Sequence, residues 1–278
     1  MKKATLLALL ALALCFAAPS KGGAATYLLY EAFGGTWYDA NKSPTNTEDD
    51  LMCWAATAAN ILAWGGWTTP VYQTADQIFR HFQDHWTDNG GYMSWAWKWW
   101  FDGSPPPYRT ASYPDVPGGG NFFPNLNFYD YYASAFGKTI MSSIDTLLHQ
   151  GKGVGLIISK NGAPAHAVTV WGFSYSAPGV YNSIFITDSD DNFLGLKEYP
   201  LIFSGTAWYL GGGYQGWKLG TVQALGYSPY FLASQNDFPK QLTGMAASPV
   251  PLPPAWLLVG TGLGSLFLWR RRRAAKGT

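Results

Sequence analysis

Charge is scarce in this chain of 278 residues. Asp, Glu, Lys and Arg make up 13% of it, and the formal net charge is +1 at pH 7. Such a balance gives no electrostatic basis for nucleic acid or an acidic polymer as partner. Cysteine is scarcer still, with only Cys15 and Cys53. Cys15 falls in an N-terminal apolar run. If that run is a leader that is removed, one thiol remains and no internal disulfide can form. A lone thiol in an exported protein is either an inert buried side chain or a reactive group. Long apolar runs are lacking too. Neither residues 6–18 nor residues 255–269 reach the roughly 20 residues of a comfortable membrane span. There is no internal repeat.

What is present begins with the two ends. Lys2 and Lys3 precede the apolar run at 6–18, and Gly23-Ala24-Ala25 offers small residues for cleavage. That order reads as a signal peptide over residues 1–25. At the other end, Val250-Pro251-Leu252-Pro253-Pro254 leads into the apolar residues 255–269, closed by the arginines at 270–273. The stretch is about 22 Å long as a helix, against a hydrocarbon core of about 30 Å. The arginine cluster stays cytoplasmic by the positive-inside rule, which leaves the main domain outside. This tail resembles the C-terminal sorting signals of the PEP-CTERM type, in a Val-Pro-Leu-Pro-Pro variant. The resemblance implies a Gram-negative host, an exosortase as processing partner and transient membrane association through residues 250–278. The expected organisation is a leader at 1–25, one domain at 26–235, a linker at 236–249 and the sorting signal at 250–278.

Inside the domain, the pattern changes from helical to extended. Residues 26–33 alternate loosely and predict a strand. Residues 53–64 are rich in Ala, Leu and Ile without Pro or Gly, which predicts a buried helix. Asp49 or Asp50 is placed to cap it, and Gly65-Gly66 to end it. Residues 75–86 and 142–149 predict further helices. Residues 95–101 are an aromatic cluster of undefined structure, and 103–124 a Pro- and Gly-rich loop. Strands are expected at 153–159, 166–173, 183–187 and 195–199. Helices first and antiparallel strands after give the class α+β.

Cys53 falls in the first turn of the predicted helix, where the helix dipole favours a thiolate. A base is needed beside it, and four histidines compete. His81 and His85 are one helical turn apart, which is also metal-ligand spacing, but no third ligand stands near. A solvated helix face is expected for them, and no metal or organic cofactor is implied. His149 closes a short helix, where a cation meets the dipole. His166 opens a strand after Gly162-Ala163-Pro164. Asp188 ends the following strand, after Phe185-Ile186-Thr187. If these two strands form a hairpin, His166 and Asp188 lie side by side, with Asp190 close behind. A carboxylate there orients the imidazole and stabilises its charged form. A plain turn, or a calcium loop, is the other reading of Asp188-Ser189-Asp190-Asp191.

At these residues the chain resembles the immunoglobulin-degrading cysteine endopeptidases of the IdeS (Mac) type. Trp37-Tyr38-Asp39, Lys42 and Asp49-Asp50-Leu51-Met52-Cys53 match the nucleophile region, and Ala55-Ala56-Thr57-Ala58 with Asn60 continue it. Gly151-Lys152, His166-Ala167-Val168 and Trp171-Gly172 match the base region. Thr187-Asp188-Ser189-Asp190 and Gly195-Leu196-Lys197 match the acidic region. The resemblance runs over residues 37–230 and is poor over 73–136. It implies a papain-like fold, in which a helical part carries the cysteine and an antiparallel sheet carries the histidine and aspartate. It also implies an exported cysteine endopeptidase acting on a protein substrate. Cys53 would be the nucleophile, His166 the base, Asp188 the orienting acid and Asp190 a supporting acid. Lys42 would share the oxyanion hole with the Cys53 N–H. The rival is a non-catalytic surface protein that binds polysaccharide or peptide on an aromatic platform of Trp95, Trp97, Trp99, Trp100, Phe101 and Tyr108. Core packing is the plain alternative for those rings.

Overall fold

The chain opens with strand β1, Ala25–Leu28, which passes at once into a short helix α1, Leu29–Phe33. One strand over residues 26–33 was expected. Leu29 and Phe33 are both buried. A strand would put Glu31 on the same buried face as these two, whereas a helical turn buries Leu29 and Phe33 together and leaves Glu31 exposed. Helix α2, Cys53–Trp64, matches the expected bounds, and every residue after Cys53 is buried. Its expected cap does not form. Met52 is the N-cap and makes no side-chain cap. The Asp49 side chain instead accepts from Ser43 N and Gln83 Nε2, at 3.1 and 2.7 Å.

Helix α3, Ala75–His85, starts from a reciprocal capping box between Thr74 and Gln77. Helix α4, Met93–Asp102, holds the aromatic cluster and ends at Gly103, whose φ of 70° suits glycine. Then come β2, Tyr132–Phe136, and helix α5, Ile140–His149. The remaining strands are β3 (Gly153–Ser159), β4 (His166–Ala177), β5 (Val180–Thr187), β6 (Lys197–Phe203), β7 (Trp208–Leu210) and β8 (Lys218–Leu225). Helix α6, Pro229–Ser234, follows.

This computed structural model describes residues 24–43, 48–104, 114–190 and 193–234. All lie in the unit Met1–Ser234. Residues 1–23 of the expected leader, the linker at 236–249, the sorting signal at 250–278 and Tyr108 lie outside the described residues. Among the described residues no helix is long and apolar enough to cross a membrane.

The expected papain-like pairing of a helical part with an antiparallel sheet needs correction. The strands are not an open layer. They run β4-β3-β8-β7-β6-β5, and β5 pairs back onto β4, so six antiparallel strands close into a barrel. β1 adds to β4 and β2 to β8. The physical cause is the length and irregularity of β4. One edge pairs β3 through residues 166–170 and β1 through 172–175. The other edge pairs β5, with register shifts at Val170/Gly172, Ser174/Tyr175 and Tyr175/Ala177. Such bulges bend a strand and increase its twist, which is what closure requires.

Two apolar clusters follow from this arrangement. One fills the barrel with Val154, Leu156, Ile158, Val168, Ile184 and Val222, among others. The other joins α2, α3 and α4. β3 shows how the helices reach the wall. Val154, Leu156 and Ile158 face one way, and Gly153, Gly155 and Ile157 the other. A Cβ on Gly155 would meet Met93 Cε at 2.6 Å and Thr57 Cγ2 at 3.0 Å. A Cβ on Gly153 would meet Ile61 Cγ2 at 2.7 Å. Glycine therefore lets α2 lie directly on the barrel. Gly155→Val is expected to destabilise the fold by about 1–3 kcal/mol through overpacking, read as a lower denaturant midpoint.

Candidate active site

The close seating of α2 on the barrel brings its first residue against the start of β4. Cys53 is half-buried, and the Ala167 N–H donates to its Sγ at 3.4 Å. Further along α2, Asn60 joins the same layers. It accepts from Ala40 N at 2.8 Å and donates to Thr169 Oγ1 at 3.0 Å. Thr187 Oγ1 donates to Tyr38 O, and Lys42 N to Ser189 O. The segment at 38–42 is thus tied to α2, β4 and the end of β5.

The hairpin of β4 and β5 forms, with Thr169 opposite Thr187. It places His166 beside Asp188, with Nε2 to Oδ1 at 2.6 Å, and both side chains are buried. The imidazole also lies close enough to Cys53 for the sulfur to help raise its pKa. With Nε2 on Asp188, Nδ1 is the nitrogen left for the sulfur. Asp188 takes two further donors, Asp190 N at 3.0 Å and the Tyr214 hydroxyl. Burial by itself would lower the His166 pKa, but its bond to Asp188 and the nearby Cys53 raise it to about 10. Burial likewise opposes ionisation of Asp188, yet His166, Tyr214 and the Asp190 N–H hold its carboxyl below the usual range. The product is an imidazole kept cationic next to a thiol.

Lys42 and Asp190 complete the group. Lys42 Nζ lies 2.8 Å from Asp190 Oδ1 and also donates to Asp50 O. Asp190 Oδ2 is 3.6 Å from His166 Nδ1. All five residues singled out in the sequence therefore meet at one place. His149 does not; it pairs with Asp145 and stacks on Tyr27. His81 and His85 do not either. The solvated face expected for them is wrong for His81. It is buried, donates from Nε2 to Gly119 O at 2.6 Å, and packs on Tyr72 and Trp99. Among the described residues the one cluster of three metal-ligating groups is His166, Asp188 and Asp190.

A cavity of about 580 Å³ opens over Cys53 and His166. Trp54, Tyr92, Trp95 and Trp217 give it aromatic walls, and Gly91 and Pro164 flank it. Trp54 Nε1 donates to Asn89 O at 2.8 Å, which holds the 89–91 loop at the rim. Sequence reasoning named Trp95 only as part of an aromatic platform and missed Trp54, Tyr92, Trp217 and Tyr214. They carry no local motif and reach the site only through tertiary packing.

The aromatic-platform reading is overturned directly. Trp97, Trp99, Trp100 and Phe101 are at most 1% exposed, so they are core. Their indole N–H groups confirm it, since Trp97 donates to Ala58 O and Trp100 to Trp67 O.

One family model matches the chain: Mac-1, described as Mac 1, over residues 119–207. No curated protein matches. The Mac-1 match takes in His166, Asp188 and Asp190 but not Lys42 or Cys53. It spans less than a third of the chain and so does not establish a family. This corrects the wider expectation. Membership of the IdeS-type family over residues 37–230, endopeptidase activity, a cleaved protein substrate and an exosortase partner do not stand as conclusions. Taken as a macro domain, the match would make the chain an ADP-ribose binder. The geometry does not favour that. Among the described residues the cavity lining carries Asp50 and Asp190 beside the single cation His166, and Lys42 is already engaged by Asp190 and Asp50 O, so no free cationic cradle for a diphosphate is built there. An ADP-ribose site also leaves the assembled Cys53, His166 and Asp188 without a purpose.

Proposed function

We propose that Cys53, His166 and Asp188 form a thiol-nucleophile centre for acyl transfer. The observation that carries this reading is the meeting of Cys53 and His166 at the cavity, with His166 Nε2 on Asp188 Oδ1 and the charged imidazole favoured by that bond. The Cys53 sulfur attacks the carbonyl carbon of an acyl donor. His166 passes a proton from Nδ1 to the departing group, which leaves as an amine, alcohol or thiol. A thioester on Cys53 remains. Water, deprotonated by His166, then releases the acid and restores the thiol. Asp188 holds the imidazole in place through both half-reactions. N–H groups in the first turn of a helix have no intrahelical acceptor, so that of Cys53 is suited to the oxyanion. The Lys42 ammonium has three donors, and Asp190 and Asp50 O take two, which leaves the third for the same oxygen.

The test uses the intact protein with three kinds of acyl donor: peptide amides, carboxylic esters and thioesters. Acid quenching and intact-mass analysis should show an acyl adduct on Cys53 with one of them and none in Cys53→Ala. Calorimetry with free ADP-ribose should show no binding heat. Absence of any adduct together with ADP-ribose binding in the cavity would overturn the reading. On the donor so found, Lys42→Met is expected to lower kcat by about 10²-fold, the scale of one oxyanion donor. Asp190→Asn should cost less, because it removes a neighbour of His166 and not a donor.

Export is a separate proposal and rests on the leader-like residues 1–25. Protein recovered from its host is expected to begin at Thr26. An intact mass that retains Lys2 and Lys3 would remove the signal-peptide reading.

A further inference from the structure

We infer that Tyr214 is a positioning residue of this centre, which holds the Asp188 carboxylate in the orientation that serves His166. The inference rests on the acyl-transfer reading above.

Tyr214 comes from a tight reversal between β7 and β8. A single turn of 3₁₀ helix, Gly212–Tyr214, forms there. Gly212 and Gly216 take φ of 62° and 82°, a region that favours glycine. Leu210 N donates to Trp217 O, Gly211 N to Pro200 O and Gly216 N to Leu210 O. The reversal is therefore fixed by backbone bonds. The side chains of both Tyr214 and Trp217 line the cavity from it. The Tyr214 ring packs on Tyr199 and Trp217, with centroids 5.4 Å away in each case. It stacks on His166 at 6.1 Å, with 27° between planes.

The hydroxyl divides the work of the carboxylate. Asp188 Oδ1 takes His166 Nε2 and the Asp190 N–H, and Oδ2 takes Tyr214. Asp188 is only 4% exposed, so no other solvent-facing partner stands ready for Oδ2. Without the tyrosine hydroxyl, Oδ2 becomes a buried acceptor with nothing to accept. The carboxyl can then rotate off His166 or take up a proton. The charged and titratable groups around it are His166 on β4, Asp190 after β5, Tyr199 on β6, Cys53 on α2 and Lys42 against Asp190. None of these donates to Oδ2 among the described contacts; Tyr214 alone does.

The sign of the effect follows. The hydroxyl bond helps to hold Asp188 below the usual carboxyl range. Removing it moves the protonation of Asp188 to higher pH. As acid is added Asp188 then takes up its proton earlier and ceases to anchor His166 Nε2, so the ring is no longer held against Cys53 and the acid limb of Cys53 reactivity moves up.

The experiment is alkylation of Cys53 by iodoacetamide from pH 4 to 9, in wild type, Tyr214→Phe, Asp188→Asn and the double variant. Phenylalanine keeps the ring and removes the hydroxyl alone. The acid limb in Tyr214→Phe should move up by about one pH unit. In the Asp188→Asn background the same change should move nothing, since Tyr214 acts through that carboxylate. An unshifted limb in folded Tyr214→Phe overturns the inference, as does an equal shift in both backgrounds. If wild-type Cys53 instead behaves as an ordinary thiol throughout, the acyl-transfer reading itself is what fails.

Discussion

Replacing Cys53 by alanine is expected to lower acyl turnover by on the order of 10⁶-fold, the scale seen when a unit of this kind loses its nucleophile. The fold should survive. Cys53 is half-buried at the first turn of α2, and alanine suits a helix. What disappears is the Sγ that accepts from Ala167 N and helps to raise the His166 pKa. Stability should therefore change by no more than about 1 kcal/mol. A second consequence needs no substrate. Cys53 is one cause of the raised His166 pKa, after Asp188. In Cys53→Ala the imidazole should titrate lower than in wild type, with Asp188 still holding it up. An NMR titration of His166 reads this directly. Turnover that persists in clean Cys53→Ala protein, or a His166 titration that does not fall, would show that the two groups are not coupled.

The sequence carried some of this arrangement and not the rest, for physical reasons. Residues 53–64 announce a helix because they are rich in Ala, Leu and Ile with no Pro or Gly until Gly65-Gly66, and nothing tertiary overrides that preference. His166 and Asp188 announce each other because a hairpin register is local, and strand ends meet by geometry alone. The barrel is different. It closes through β5 on β4 and through β7 on β8, where a single residue pair, Tyr209 with Lys218, makes the ladder. Such a contact leaves no periodic trace. β2 and β8 were not foreseen either, because Gly220 and the polar Thr221 and Gln223 interrupt the apolar pattern of β8. The burial of His81 was missed because its cover, the segment around Gly119, lies 38 residues away. Lys42 is a mixed case. Its place beside the site follows from the resemblance, but its pairing with Asp190 and Asp50 is visible only in three dimensions.

Asp188→Asn is expected to lower turnover by about 10³- to 10⁴-fold, more than the loss of a charge near a cation explains in water. The argument lies in the count of donors. His166 Nε2, the Asp190 N–H and the Tyr214 hydroxyl all converge on this side chain. A carboxylate offers two acceptor oxygens, and an amide offers one oxygen and an NH₂. In the variant the NH₂ must face either Tyr214 or His166. If it faces His166, it donates to Nε2 and fixes the neutral imidazole in the wrong tautomer. If it faces Tyr214, the hydroxyl must turn to accept from it, and the hydroxyl proton loses the carboxylate it now donates to. Either outcome costs about 1–3 kcal/mol of stability. The pH dependence changes as well. In wild type, His166 is raised from 6.5 to about 10 and Asp188 is lowered. The stability their pairing adds is fully present below pH 6.5 on the histidine side and fades as pH rises through about 10. On the aspartate side it is present above the ordinary carboxyl range and fades as pH falls through the lowered value. In Asp188→Asn both limbs should flatten, and the difference in stability from wild type should be largest between about pH 4 and 6.5. Denaturant midpoints measured from pH 3 to 10 give both curves. A variant whose midpoint parallels that of wild type across the whole range would mean that Asp188 is not ionised in the native protein, and the orienting role would pass to Asp190.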